Sequence, residues 1–427
     1  MNKNILIKNI SIVDEQYDID KHYDVLISDG IIQNVGIDLK DSTAKVIDGT
    51  GLTAFPSFFD MHVHFRDPGF THKEDIITGS KAAAAGGVTG VLCMPNTNPP
   101  VDNKETINYI LSKAAQTDID VYQTACITSE MKGNQLADFE MYKSLGIKAV
   151  SDDGRPVKNA EILRQAMIKA YDKDIILISH CEDMDIIGKG IINRGSVSEK
   201  LGIEGMDRAS EDYITAREIA LAGTTGTAVH IAHVSTEGSI GFIKDAKARG
   251  IKVTCETCPH YFAFTDEKLM SLDADFRMNP PLRDSRDVDA ITEAVIDGTV
   301  DCIVTDHAPH AASEKADFKK APNGVVGLET SLAATLTYLY HTKKITLQRI
   351  AELMSLNPRK LLGIEPVYIR KGQKADICIA DINREWIVNP DNLHSKSHNT
   401  VFKGTKLKGK PVMTILNGKI VYSDLNI

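Results

Sequence analysis

Eight short apolar runs recur through the middle of this chain, each followed by a polar or glycine-rich turn, and that repetition limits the fold more than any other feature. They are TAFPSF (53–58), VTGVLCM (88–94), DVYQTAC (120–126), IKAV (147–150), IILIS (175–179), AVHIA (228–232), IKVTC (251–255) and DCIVT (301–305). A strand with one wet face alternates apolar and polar residues, whereas a continuous apolar run suits a parallel strand covered by helices on both sides. KEDIITGSKAAAAGG (73–87) and NAEILRQAMIKAYDKD (159–174) have the pattern of such covering helices. Eight parallel strands in series is the number that closes a (β/α)8 barrel, so the predicted class is α/β with a TIM-type barrel over 53–357.

The two ends differ from the middle. Residues 1–52 and 358–427 carry alternating segments such as ILIKNISIVD, YDVLISDGIIQNVG and ADICIAD, with an Asn-Gly hairpin signal at 417–418. They predict one small discontinuous β-rich, sandwich-like domain built from both termini, two separate small domains being the alternative. The polar stretch HAASEKADFKKAP (310–322) follows the last run, where a mobile active-site loop is expected.

Placement of metal-type side chains then suggests chemistry. Such residues follow five of the eight runs: His62 and His64, Asp152 and Asp153, His180, His233, and Asp306 with His307. The C-terminal ends of barrel strands converge on one mouth, so residues distant in sequence meet there. Residues i and i+2 of a strand point the same way, which lets both imidazoles of His62-x-His64 reach one ion. Imidazole with carboxylate suits zinc, with iron, cobalt and manganese as alternatives. His22, His72, His341, His394 and His398 fit no such position and are expected to be surface or structural; His230, inside the sixth run, is expected to support or pack.

Composition removes several function classes. A formal net charge of −9 with no basic concentration beyond the short Lys403–Lys410 stretch argues against nucleic acid. Seven cysteines without repeated spacing do not make a disulfide framework, and Cys255-x-x-Cys258 lacks the second pair that a closed zinc site requires. No signal-type apolar segment or span of 18 apolar residues occurs, so no membrane and a cytoplasmic setting are expected. No GxxxxGK[ST] is present.

HVHFRDPG (62–69), MPNTNP (94–99), SDDG (151–154), SHCED (179–183), AHVST (232–236), MNPPLR (278–283), TDHAPH (305–310), GLET (327–330) and SKSHNT (395–400) together resemble the class I bacterial dihydroorotases of the cyclic amidohydrolase superfamily. The resemblance runs through the whole barrel in order. It implies two zinc ions per chain, one held by His62, His64 and Asp306 and the other by His180 and His233. It also implies that Asp153 stands where related hydantoinases have a carboxylated lysine, with Asp152 supporting the loop. Arg66, Asn96 and His310, beside His64, would hold the substrate carboxylate; Asn279 and the backbone near Asn323 and Gly324 would contact the ring. Departures from the family are Val150 before Ser151, Cys258 before the proline, and the missing proline in NTVF; none falls on an implied ligand.

The implied reaction is reversible opening of dihydroorotate to N-carbamoyl-L-aspartate in pyrimidine biosynthesis, with Asp306 as the proton-transferring base. A homodimer and an association with aspartate carbamoyltransferase are also implied. Competing readings are an allantoinase or hydantoinase, which would need a carboxylated lysine at a bridging position where this chain has none, Lys148 lying five residues before Asp153, and an inactive scaffold for a pathway enzyme.

Overall fold

The computed structural model describes residues 4–425, so residues 1–3 and 426–427 of the two predicted terminal segments lie outside the described residues. The chain begins with β1 (Ile5–Ile12), β2 (Tyr23–Ser28), β3 (Ile31–Gly36), β4 (Lys45–Asp48) and β5 (Thr53–Pro56). Apolar alternation in β1 slips by one between Ile7 and Ile10. The register against β2 shifts at that point, with Asn9 at φ 57°. This bulge keeps Ile5, Ile7, Ile10 and Ile12 all buried in one core.

The barrel follows. Strands β6 (Phe58–Val63), β7 (Val88–Cys93) and β8 (Asp120–Gln123) form one parallel ribbon. The other contains β9 (Ala149–Val150) and β10 (Ile176–Ser179). A small pair then branches off, β11 (Ile192–Asn193) with β12 (Gly205–Met206), before β13 (Val229–Ile231), β14 (Val253–Thr257) and β15 (Cys302–Ile303) complete the ribbon. Single parallel bridges, Ala125 with Val150 and Val63 with His307, join the ribbons at both seams. Buried Asp60 strengthens the second seam by accepting from the amides of His62 and Thr305.

Helix Ile76–Ala85 is capped by Asp75 and Ala160–Asp172 by Asn159, each side chain accepting first-turn amides that would otherwise be unpaired. These match the two helical segments read from sequence. The chain ends in β16 (Ile377–Ile387), β17 (Lys406–Leu416) and β18 (Lys419–Ser423). Strand β16 pairs with β5, and β5 with β1, so strands from both termini form one sheet in the order β18-β17-β16-β5-β1-β2-β3. The sheet lies directly on the barrel at Gly87 (φ 82°), where a Cβ would stand 2.4 Å from the Cys378 sulfur.

Two strand readings need correction. Run 53–58 is not one barrel strand: Thr53–Pro56 belongs to the terminal sheet, and the barrel starts at Phe58. The Ser57 amide still donates to Asp376 in the sheet, while the Phe58 amide donates to Gly87 in the barrel. Every residue from 53 to 63 is buried, so hydropathy alone does not show the switch. The seventh strand extends past Cys255 to Thr257 and carries Glu256 into the interior.

Candidate active site

At the barrel mouth Asp153 is the hub. Its Oδ1 lies 3.6 Å from His62 Nε2, 3.3 Å from His180 Nδ1 and 3.6 Å from His233 Nε2, and its Oδ2 lies 3.5 Å from His64 Nε2. Two triads therefore share it, His62–His64–Asp153 and Asp153–His180–His233, every member buried. Asp306 stands beside the first, 3.1 Å from His64 Nε2 and 3.8 Å from His62 Nε2.

A divalent metal fits this nest. Ligands about 2.0–2.1 Å from a tetrahedral ion are about 3.3–3.4 Å apart, close to the separations seen around Asp153. His62 Nε2 and Asp153 Oδ1 are buried without hydrogen-bond partners, a costly arrangement that an ion in the nest relieves. Asp152, by contrast, faces away and accepts from the Ile127 and Thr128 amides, holding the preceding loop. His307 also turns aside, its Nε2 3.5 Å from buried Glu74. Backbone strain concentrates here: Arg66 (φ 59°), His233 (φ 33°) and Asp306 (φ 47°) all adopt left-handed conformations that L side chains avoid.

Two further carboxylates orient the imidazoles. Glu256 reaches His62 Nδ1 at 2.6 Å and His230 Nε2 at 3.1 Å, and His230 Nδ1 meets Thr254 Oγ1 at 2.8 Å. This leaves His62 Nε2 directed at the nest, the usual arrangement behind a metal-binding histidine. Burial disfavours the charged imidazole, yet Glu256 and Asp153 outweigh it and hold the His62 pKa well above its ordinary value. Glu182 does the same for His180, accepting from Nε2 at 3.1 Å while its other oxygen accepts from Asn279 Nδ2 at 3.0 Å. For His180 burial is likewise overcome, by Asp153 and Glu182, and the pKa is pushed up to about 10.

Beside the nest lies a cationic recess. Arg66 donates Nε–H to Pro309 O at 3.2 Å, and its Nη2 comes within 3.4 Å of His310 Nε2. His310 Nε2 lies 2.9 Å from Asn323 O, and Lys73 Nζ approaches His310 Nδ1 at 3.3 Å. The tautomer with the proton on Nε2 serves both contacts. Burial and then the charges of Arg66 and Lys73 drive the His310 pKa down to about 2, so this imidazole is neutral. Gly324 (φ 137°) passes so close that a Cβ would meet Ala308 O at 2.6 Å.

Asn96 reaches the nest itself. Its Oδ1 meets His64 Nδ1 at 2.8 Å and its Nδ2 donates to Asp153 Oδ2 at 3.2 Å, so its amide braces the nest. Segment 310–322 is anchored from below by buried Lys315, which donates to Arg277 O and Pro322 O, and by Arg277, which donates to Phe318 O and Asn323 Oδ1. Sequence reasoning missed Glu256, Glu182 and Lys73. Glu182 lay inside the quoted SHCED, two residues after a ligand candidate, a usable signal; Lys73 had none.

Barrel, terminal sheet and metal-type strand ends together place the chain among the amidohydrolases that act on cyclic amides. Solved structures agree on the fold: a D-hydantoinase crystal structure (25% identity, TM-score 0.87) covers 99% of this chain and 95% of its own. An L-hydantoinase from Arthrobacter aurescens (24% identity, TM-score 0.88) covers 99% and 97%. Within that class the chain belongs to the dihydroorotase family. A family model described as Dihydro-orotase-like matches residues 51–239. A curated dihydroorotase of Geobacter metallireducens is 46% identical over 98% of this chain and 99% of its own length. One of Acetivibrio thermocellus is 44% identical, with 98% of each covered. Among the described residues, no helix is long and apolar enough to cross a membrane.

Proposed function

We propose that this chain interconverts (S)-dihydroorotate plus water with N-carbamoyl-L-aspartate, using two zinc ions, on a barrel that begins at Phe58 and runs to residue 357, supported by a small domain from both termini that includes Thr53–Pro56. One observation carries the substrate choice: Arg66, beside neutral His310 and the Lys73–Glu314 ion pair, makes a cationic recess next to the metal nest. A neutral hydantoin or dihydropyrimidine ring has no use for such a recess, whereas dihydroorotate carries a carboxylate. Lys148, the lysine a hydantoinase-like site would need, lines a cavity with Lys143, Tyr171, Lys252 and Lys360, none of them a member of the nest.

His62, His64, Asp153, His180 and His233 would hold the metal, with Asp306 as a further ligand. Bound there, zinc supplies Lewis acidity that polarises the ring carbonyl and makes water a stronger acid. Arg66 grips the substrate carboxylate through charge-assisted hydrogen bonds, and this fixes the ring carbonyl over the nest. Asn279, with the backbone at Asn323 and Gly324, lines the ring. Burial alone would raise the Asp306 pKa, but the His64 hydrogen bond and the neighbouring imidazoles lower it, so the carboxylate is ionised and ready to accept a proton. Water adds to the carbonyl between the ring methylene and the imide nitrogen, and Asp306 takes its proton. The carbon–nitrogen bond then breaks, and Asp306 passes the proton to the departing nitrogen, which becomes the ureido NH2. Ring closure is the reverse.

The test is dihydroorotate hydrolysis by purified protein, followed by loss of ultraviolet absorbance. Allantoin and hydantoin run in parallel, with metal content measured on the same sample. Selective opening of dihydroorotate with up to two zinc ions per chain is expected. Turnover of hydantoin or allantoin alone would overturn the reading of Arg66, and no turnover in metal-replete protein would favour the scaffold. A homodimer and an association with aspartate carbamoyltransferase rest on the resemblance alone; sedimentation of the purified chain tests the first.

A further inference from the structure

The carboxylate recess is not built by the barrel alone. Segment 394–400, returning from the terminal sheet, lies against the barrel mouth and is fastened at several points. Ser395 Oγ donates to buried Glu74, Ser397 Oγ donates to Lys73 O at 2.6 Å, and Lys396 Nζ donates to Thr71 O at 2.8 Å. Behind these anchors comes Asn399, 5% exposed, with every polar group of its side chain and its carbonyl engaged. Its Oδ1 accepts the His310 amide at 3.1 Å, its Nδ2 donates to Gly324 O at 3.0 Å, and its backbone oxygen accepts the Val326 amide at 3.0 Å.

His310 and Gly324 lie on opposite sides of the 311–322 excursion and have no regular ladder between them. The backbone offers one pairing on this stretch, Ala308 N to Val325 O at 2.8 Å, and the His310 ring bridges to Asn323 O. The Asn399 amide adds a rigid crosspiece: acceptor toward one side, donor toward the other, at a separation that no carboxylate or hydroxyl reproduces. Both groups it holds flank the recess assigned to the substrate carboxylate. It touches none of the metal-nest residues.

Resting on the function proposed above, we infer that Asn399 is a positioning residue for substrate recognition: it sets the spacing of His310 and Gly324 and so tunes carboxylate binding without taking part in the chemical step. Asn399→Ala removes both side-chain hydrogen bonds. Asn399→Asp keeps the acceptor for His310 but sets an oxygen against Gly324 O. Lys396→Met serves as the control, since it removes an anchor of the same segment, to Thr71 O and Asp75, that contacts none of His310, Gly324 and Lys73.

The measurements are kcat and KM for dihydroorotate, equilibrium binding of orotate (the planar ring with the same carboxylate), zinc content and Tm. For Asn399→Ala, KM and the orotate Kd should rise about ten-fold, as expected for two lost hydrogen bonds, with kcat and zinc content held within about three-fold. Asn399→Asp should show the same split, and Lys396→Met should leave KM and orotate binding unchanged. A fall in kcat at constant KM would overturn the inference. So would an equal KM rise in Lys396→Met, or a lowered Tm with orotate binding intact. Failure of the unsubstituted chain both to open dihydroorotate and to bind orotate would refute the function itself, a result visible before any variant is made.

Discussion

Replacing Glu256 by glutamine removes a charge from behind the metal nest while leaving its shape. In the native chain Oε1 accepts a hydrogen bond from His62 Nδ1 at 2.6 Å and Oε2 meets His230 Nε2 at 3.1 Å. A glutamine oxygen still accepts from His62. Its NH2 then faces His230 Nε2, which accepts if the His230 proton moves to Nδ1 and donates to Thr254 Oγ1, 2.8 Å away. Both hydrogen bonds survive a tautomer change, so Tm should move by only a few degrees. What is lost is the anionic partner that makes His62 a stronger donor. Supporting carboxylates of this kind are worth about 10- to 100-fold in metal affinity, or about 1.4–2.7 kcal/mol.

Competition with a chromophoric chelator measures that difference directly, without reference to turnover. Glu256→Ala is the companion variant: it leaves His62 Nδ1 and His230 Nε2 unpaired in the interior at about 1–3 kcal/mol for each, so it should lose stability as well as metal. If Glu256→Gln binds zinc as tightly as the unsubstituted chain while Glu256→Ala does not, the side chain acts through its hydrogen bonds and shape alone, and the charge argument is wrong.

Other outcomes follow from the same geometry. Asp306→Asn should lower kcat by roughly 10²- to 10⁴-fold with KM little changed, as expected for loss of a general base; steady-state assay of metal-replete protein checks it, and a retained kcat places the base elsewhere. Arg66→Met should cost roughly 100-fold in kcat/KM for dihydroorotate, mostly through KM, and unchanged orotate binding would disprove the recess assignment. Burial pushes the Lys315 ammonium down to about 7, so between pH about 7 and about 10 the folded chain binds fewer protons than the unfolded one. Stability therefore climbs with pH across that window by up to about 1.4 kcal/mol per unit. Denaturant unfolding at both ends should show the climb, and Lys315→Met should flatten it; an unaltered slope in the variant would assign it to other groups.

The legible part of the site was the part that topology organises. His62, His64, Asp153, His180 and His233 were recognisable because each follows an apolar run, and parallel strands in a barrel must bring such positions together. Glu256 was hidden for the opposite reason: a carboxylate within a strand breaks the apolar pattern, so the run seemed to stop at Cys255. The junction at Ser57 was invisible because β5 and β6 are both covered on two faces and differ only in which neighbours their amides address. Contacts such as Lys73 with His310, or Asn399 with Gly324, join segments with no shared periodicity, and side-chain geometry alone reveals them.

The sheet order has a consequence for how this protein is made. β5 lies between β1 and β16, and β16 begins at residue 377. As the chain leaves the ribosome, one edge of β5 therefore waits for a partner about 320 residues later, roughly 15–65 s at 5–20 residues per second. An apolar strand with an unpaired edge is an aggregation hazard throughout that interval. The barrel meanwhile lacks segment 394–400 at its mouth until those residues too have been made. Incomplete chains, whether stalled or truncated, would thus carry metal-type side chains without the finished recess, and their fate in the cell would depend on chaperones shielding that edge.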